Sequence, residues 1–398
     1  MASVDPSPAS LIKAFIACVG PKRWAARMAE IRQEVARSQR VGRALLQKHA
    51  IEVALERMCQ RADRDGLATA ETILLGLVRD AVALDRALPA EGRSRFRAAL
   101  AAALTDDGTL VPVFHLLRTA ALQRSRGFDV VFSGFAEGTA FDLLLQRNGS
   151  EAEVVCDVVS AEDGRDVHRG AWVRLVDRID PDLQSWLAQH PGRYLLKLTL
   201  PQGLNGDQCR LAALHARIRT MLASDLRADH DEAAVLRLDP LMLAAAQADE
   251  LGLMPSLRAE FGHEAHLAVT SKGRGVFVLA ARASREDAVA VALRKRLAVL
   301  APTRLSGTRP GILAMFVEDT DRTEWRHLRD RLELEGEARQ FLTHPEARTV
   351  IAVTCASRLE LMGHAAPHAA VDGELRFRNP SHPAAKAAAL APAVLSSV

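Results

Sequence analysis

The sequence predicts a mixed α/β chain that opens with a purely helical segment. Three observations carry this expectation. Residues 10–105 place apolar positions at helical spacing with Arg and Glu between them, as in "PKRWAARMAEIRQEVARSQRVGRALLQKHAIEVALERMC". From about residue 110, short apolar runs alternate with turn residues, and Asn148-Gly149 separates two such runs, a strong hairpin signal. Beyond Pro201, helix-like and strand-like stretches interleave to about residue 380.

Each element can be justified in order. "TAETILLGLVRDAVALDRAL" starts with a capping-type Thr-x-Glu run and continues with helical period, and "SRFRAALAAAL" adds a further helix. The turn "TDDGTL" (Thr105 to Leu110) ends the helical region. A helix is expected over about 110–125, then strands "FDVVFSG", "TAFDLLLQR" and "EAEVVCDVVS". A long amphipathic helix, "GRDVHRGAWVRLVDRIDPDLQSWLAQH", leads to the strand "RYLLKLTL", which is expected to close an α-β-β-β-α-β unit. The remainder reads as the helix "RLAALHARIRTMLASDL", strands around "AAVLRLDPLML" and "EAHLAVTSKGRGVFVLAARA", and the helix "SREDAVAVALRKRLAVLAP". After these come the strand "RPGILAMFVED", the helix "TEWRHLRDRLELEGEARQFL" and the strands "RTVIAVTCASRL" and "GELRFRNP". The expected organisation is a helical domain (1–105), an α/β core (106–203), a mixed α/β region (204–380) and a disordered Ala/Pro-rich tail (381–398).

Composition narrows the function classes. The chain has 398 residues, enough for two or three domains, and an apolar fraction of 48% that supports a sizeable core. A net charge of +3 is too weak to argue by itself for nucleic acid. The five cysteines form no CxxC pair, which argues against a zinc ribbon, a redox motif or a disulfide framework. "SLIKAFIACVG" is too short to span a membrane, so a soluble, cytoplasmic protein without a membrane partner is expected. P-loop, HExxH, GxSxG and Rossmann spacings are missing. His364 and His368 lie four apart, but Pro367 interrupts any helix that would bring them together as metal ligands. No sequence pattern fixes an oligomeric state.

Acidic residues cluster on "TAFDLLLQRNGSEAEVVCDVVSAEDGR". Asp142 opens a buried run, and Glu153, Val155 and Asp157 share one face of the next strand because side chains alternate with period two. The α-β-β-β-α-β order and these carboxylates resemble the PD-(D/E)XK, or restriction-endonuclease-like, nuclease superfamily over about 110–201. The resemblance implies that Asp142 and an acidic-x-Lys pair on the third strand hold Mg²⁺, which takes oxygen ligands, while the Lys positions the attacking water. The third strand departs from that pattern. Aligning "EVVCDVVS" puts Val155 at the acidic position and Asp157 at the Lys position; a shift of two residues gives Glu153 and Val155 instead.

The catalytic candidates implied by the resemblance are therefore Asp142, Glu153, Asp157 and, as a lysine from elsewhere, Lys197 on the fourth strand. Asp142 and Asp157 are the metal candidates. Arg165, His168 and Arg169, at the start of the following helix, are the candidates for contact with DNA or RNA; the plainer account is a solvated helix start with Ser160 as a cap. Arg294, Lys295, Arg296, Arg304, Arg309, Lys272 and Arg274 form either a basic surface or a solvated face. Three functions follow: a catalytically degenerate binding or scaffolding module, a divergent Mg²⁺-dependent nuclease using Asp142, Glu153 and Asp157, or an unrelated α/β protein.

Overall fold

The computed structural model describes residues 7–61, 66–241, 250–262 and 264–396. The chain opens with helices α1 (Pro8–Val19), α2 (Pro21–Arg37), α3 (Gln39–Lys48), α4 (Ala50–Gln60), α5 (Thr69–Ala87) and α6 (Ala90–Ala102). Next come α7 (Val111–Ser125), β1 (Asp129–Val131), α8 (Ser133–Ala136), β2 (Leu143–Arg147) and β3 (Ser150–Ser160). They are followed by α9 (Arg169–Gln189), β4 (Arg193–Leu200), α10 (Gln208–Ala223), β5 (Ala228–His230), β6 (Val235–Pro240), α11 (Glu250–Phe261), β7 (His266–Lys272) and β8 (Gly275–Ala283). The chain ends with α12 (Val289–Arg304), β9 (Gly311–Glu318), α13 (Arg322–Asp330), α14 (Glu333–Leu342), β10 (Val350–Ser357), α15 (Arg358–Leu361), β11 (Leu375–Arg378) and α16 (Ala391–Val394). The protein is thus mixed α/β with mixed sheets. Met242 and Leu243, at the end of the expected strand "AAVLRLDPLML", lie outside the described residues. No described helix is long and apolar enough to cross a membrane.

Two compact units are present. Unit 1 comprises 1–33, 46–161 and 290–398; unit 2 comprises 34–45 and 162–289. Unit 1 holds a six-stranded sheet in the order β1-β2-β3-β9-β10-β11. Its first half is the expected antiparallel meander, and the hairpin turn is Asn148-Gly149, both at positive φ (48° and 76°). That pair of left-handed residues suits the right-handed strand twist, and Asn and Gly tolerate it best. β9 runs parallel to both β3 and β10. Nearly all of "GILAMFVE" is buried, as expected of a strand with parallel neighbours on both sides.

The expected closing strand is the main correction. β4 lies in the second sheet, of order β5-β6-β4-β8-β7, in unit 2, antiparallel to β6 and parallel to β8. The partner of β3 is β9, reached only after residues 162–289 of unit 2 have intervened. The expected core over 106–203 is therefore divided after Ala161. Sequence adjacency favours local pairing, but "LLKLTL" buries Leu195, Leu196, Leu198 and Leu200 within a sheet core of its own.

Unit 2 closes on itself where the chain enters and leaves. Ala288 N–H donates to Gly164 O at 2.7 Å. A Cβ on Gly164 would lie 2.5 Å from the Val289 backbone, so only glycine permits this approach. In unit 1, α1 packs against α4, α5 and α6, and α5 against α7. Phe15 of α1 meets Phe114 of α7 edge-on at 5.9 Å. The expected disordered tail is instead ordered through Ser396: Leu390, Ala393 and Val394 are buried, and Arg376 Nε donates to Leu395 O at 2.7 Å. The apolar residues of "LAPAVL" supply that anchorage despite the low-complexity composition.

Gly164→Val should destabilise the protein by about 1–3 kcal/mol, the usual cost of forcing atoms into a packed contact. Urea denaturation followed by circular dichroism measures this, and a variant as stable as the parent would contradict the close approach. Gly149→Val should cost about 1 kcal/mol or more through backbone strain at positive φ, measured in the same way.

Candidate functional site

Asp142 sits one residue before β2, where its N–H still continues the ladder to Val154 O at 2.9 Å. Because β2 starts only at Leu143, the Cys156 N–H of β3 is met by a side chain: Asp142 Oδ2 accepts from it at 2.8 Å. Asp142 Oδ1 accepts from Arg304 Nη2, at the end of α12, at 2.9 Å. Arg304 Nε also donates to Ala140 O, fixing the guanidinium over the approach to β2. Burial raises the Asp142 carboxyl above its ordinary value, opposed by Arg304 and the Cys156 N–H and reinforced by Asp157.

Glu153 is fully buried. It meets the α12–β9 connection: Oε2 accepts from Ser306 N at 2.8 Å and Oε1 from Ser306 Oγ at 2.5 Å. Arg309 Nη1 lies 3.7 Å from the same Oε1, and Arg309 Nε donates to Glu151 Oε2 at 2.7 Å. Asp157, further along the same face of β3, pairs with Arg296 of α12. The three predicted carboxylates are therefore on one face of one sheet, and α12 with its following turn supplies a partner for each.

Four of the arginines read as either a basic surface or a solvated face have acidic partners. Arg296, Arg304 and Arg309 pair with these carboxylates, and Arg294 Nε donates to Glu337 Oε2 at 2.5 Å. The sequence showed these arginines but not their pairing. It gave no cue to Ser306 beyond the fact that a buried Glu153 must find donors.

Lys197 lies on β4, in the second sheet. It belongs to unit 2, and its Nζ is 3.3 Å from Asp239 Oδ2 across the β4–β6 ladder. Arg165, His168 and Arg169 also belong to unit 2. Arg165 is buried, 2.5 Å from Glu162 Oε1 and 3.7 Å from Asp287 Oδ2, so it is unsuited to meeting a polyanion. His168 occupies the N-cap position of α9 with Nδ1 4.0 Å from Glu162 Oε2, and the Arg169 N–H donates to that oxygen at 2.8 Å. Glu162 therefore does the capping expected of Ser160, whose hydroxyl instead donates to Asp319 Oδ2 at 2.6 Å.

Mg²⁺ takes near-octahedral oxygen coordination and is often held by one or two carboxylates plus water. Asp142 and Asp157 have the right donor chemistry. Both, however, are already neutralised by guanidinium groups, and both Glu153 oxygens are engaged by Ser306. Among the described residues, no group of three or more His, Cys, Asp or Glu side chains is disposed to hold a metal ion. As arranged, this donor set does not fit the ion that the resemblance implied.

A partly buried acid with a raised pKa lies at the carboxyl end of β9. Glu318 Oε1 accepts from Thr109 Oγ1 at 3.3 Å, and burial with Asp319 and Glu52 nearby raises its pKa to about 7 against the opposing effects of Thr109 and Lys48. Glu52 itself is buried, accepts from Leu110 N at 2.9 Å and lies 3.7 Å from His49 Nδ1. The chain matches no protein-family model, no curated protein and no solved structure.

Arg304→Ala leaves the partly buried Asp142 carboxylate without its cation, and should cost about 1–3 kcal/mol in urea denaturation. No loss would mean that the pair is not formed in solution. Glu318 binds a proton more readily folded than unfolded, so its contribution to stability declines as pH rises from 4.5 towards about 7. Glu318→Gln should flatten that decline and gain on the order of 2 kcal/mol over the parent at pH 8. Parallel pH profiles for the two proteins would refute this.

Proposed function

We propose that unit 1 is a restriction-endonuclease-like core whose metal centre has been replaced by fixed ion pairs, and that it acts as a non-cleaving binding or scaffolding module on nucleic acid. The core runs α7, β1, β2, β3, α12, β9, with the body of unit 2 inserted between β3 and α12. What supports this order is the antiparallel meander followed by β9 parallel to β3, with a helix leading into β9. α12 and β9 thus take the places that the sequence reading gave to α9 and β4.

The observation that carries the loss of cleavage is the pairing of Asp142 with Arg304 and of Asp157 with Arg296. The positive charge missing from the third strand comes from the helix instead, as arginine. A guanidinium keeps its proton at any physiological pH, so it cannot take one from an attacking water as a lysine of lowered pKa can. It can still donate to phosphate oxygens. Arg296, Arg304 and Arg309 cancel the carboxylate charge that would repel a polyanion, and their side chains are one-third to nearly one-half exposed (45%, 33% and 41%).

Titration calorimetry with Mg²⁺ and Mn²⁺ should show no site tighter than about 1 mM. Single- and double-stranded DNA and RNA incubated with either ion should remain intact. Fluorescence anisotropy should detect nucleic-acid binding that weakens with salt, since phosphate contacts release counterions, and that weakens further in the Arg304→Ala variant. Metal-dependent cleavage abolished by Asp142→Ala would overturn the proposal in favour of an active nuclease built on Asp142, Glu153 and Asp157. Lack of binding to every nucleic acid at low salt would remove that partner from the reading.

A further inference from the structure

A cavity of about 440 Å³ opens in unit 1 beside the turns that follow β9 and β10. These strands are parallel neighbours, and the crevice beyond the carboxyl ends of parallel strands is where open α/β sheets hold ligands. The volume is within the range of small-molecule sites, about 300–1,000 Å³. None of the residues of the Asp142 face lines it.

The lining is cationic. Arg322, at the start of α13, is exposed and makes no hydrogen bond or ion pair among the described residues. Arg358, at the start of α15, is held in the wall by the bond from its Nη1 to Gln47 O at 3.0 Å. His364 also lines the cavity, and its pKa is lowered by burial first and then by Arg322, His368 and Arg358. The anion in the wall, Asp321, has a structural duty: Oδ1 accepts from Thr323 N at 2.8 Å and from Glu324 N at 2.9 Å, capping α13. Glu360 beneath is buried and accepts from Ser357, Trp325 and Ala370. Leu359 and Met362 add an apolar wall next to the charges.

We propose that this cavity binds a small phosphorylated molecule of mononucleotide size, its phosphate held between Arg322 and Arg358 and its apolar portion against Leu359 and Met362. Two guanidinium forks on separate elements suit a tetrahedral dianion with three terminal oxygens better than a planar carboxylate, which one fork satisfies. The charges line a concave pocket of limited volume, whereas a nucleic-acid strand is tracked by an extended basic groove with stacking platforms.

Calorimetry on the full chain with adenosine 5′-monophosphate, inorganic phosphate and adenosine tests this. The monophosphate should bind saturably with Kd below about 1 mM, and adenosine at least about tenfold more weakly. Arg322→Ala should weaken monophosphate binding about 10- to 100-fold while leaving the ligand-free melting temperature unchanged, because the side chain is exposed. Arg322→Lys should recover part of the loss. Saturable binding unaffected by Arg322→Ala would overturn the proposal, as would no binding of monophosphate or phosphate at all. Salt-dependent binding of an oligonucleotide that Arg322→Ala removes, with the mononucleotide inert, would overturn it in favour of a polymeric ligand.

Discussion

The parallel ladder between β3 and β9 is the constraint on which unit 1 depends. β3 ends at Ser160 and its parallel neighbour begins at Gly311, so the intervening chain must leave, fold and return to the same sheet. The return is possible because unit 2 brings its own ends together at Gly164 and Ala288. A unit whose ends meet can sit within a sheet-forming sequence without straining the ladder, for the same reason that insertions succeed where chain termini lie close together. The return segment is α12, and α12 therefore crosses the face of β3 that carries Glu153, Val155 and Asp157. The pairing of each carboxylate with a partner from α12 or its following turn is a direct consequence of that path.

Those pairings change the electrostatic character of the face. Carboxylates gathered on one buried face cannot all remain ionised without counter-charge, because desolvation and mutual repulsion both oppose it. A metal ion is one solution and fixed arginines are another. Asp142 shows the balance directly: its carboxyl stays above the ordinary value even with Arg304 beside it, so burial outweighs the ion pair there. The pair limits the cost of a charge that the β2 start also requires, since Asp142 Oδ2 is the acceptor for the Cys156 N–H.

The local elements were legible in the sequence because their signals are local. The Asn148-Gly149 hairpin, the continuous apolar run of "GILAMFVE" and the helical period of the first hundred residues are each written within a few turns or strands of chain. So were the same-face relation of Glu153 and Asp157 and the position of Asp142. Strand partnership was not legible. "RYLLKLTL" and "GILAMFVE" are equally good buried strands, and only the three-dimensional closure of unit 2 decides which lies beside β3. The expectation for Lys197 rested on that strand pairing. The arginines of α12 were visible as a basic run, but their role depended on a contact between residues some 140 to 160 positions apart. Glu318 left no signal, because its raised pKa comes from burial beside Asp319 and Glu52 rather than from any motif.

A covalently attached cation and an exchangeable one differ in what they make the fold's stability depend on. A metal that binds only the native state stabilises it in proportion to the logarithm of its free concentration, and chelation withdraws that contribution. Arg296 and Arg304 are present at unit stoichiometry under every condition, and the guanidinium stays charged across the physiological pH range. The counter-charge on this face is therefore part of the chain itself. An enzyme that must admit, position and release a hydrated ion needs the opposite: carboxylates poised with incomplete coordination and room for water. In Asp142, Glu153 and Asp157 the carboxylate oxygens are instead engaged by Arg304, Ser306 and Arg296.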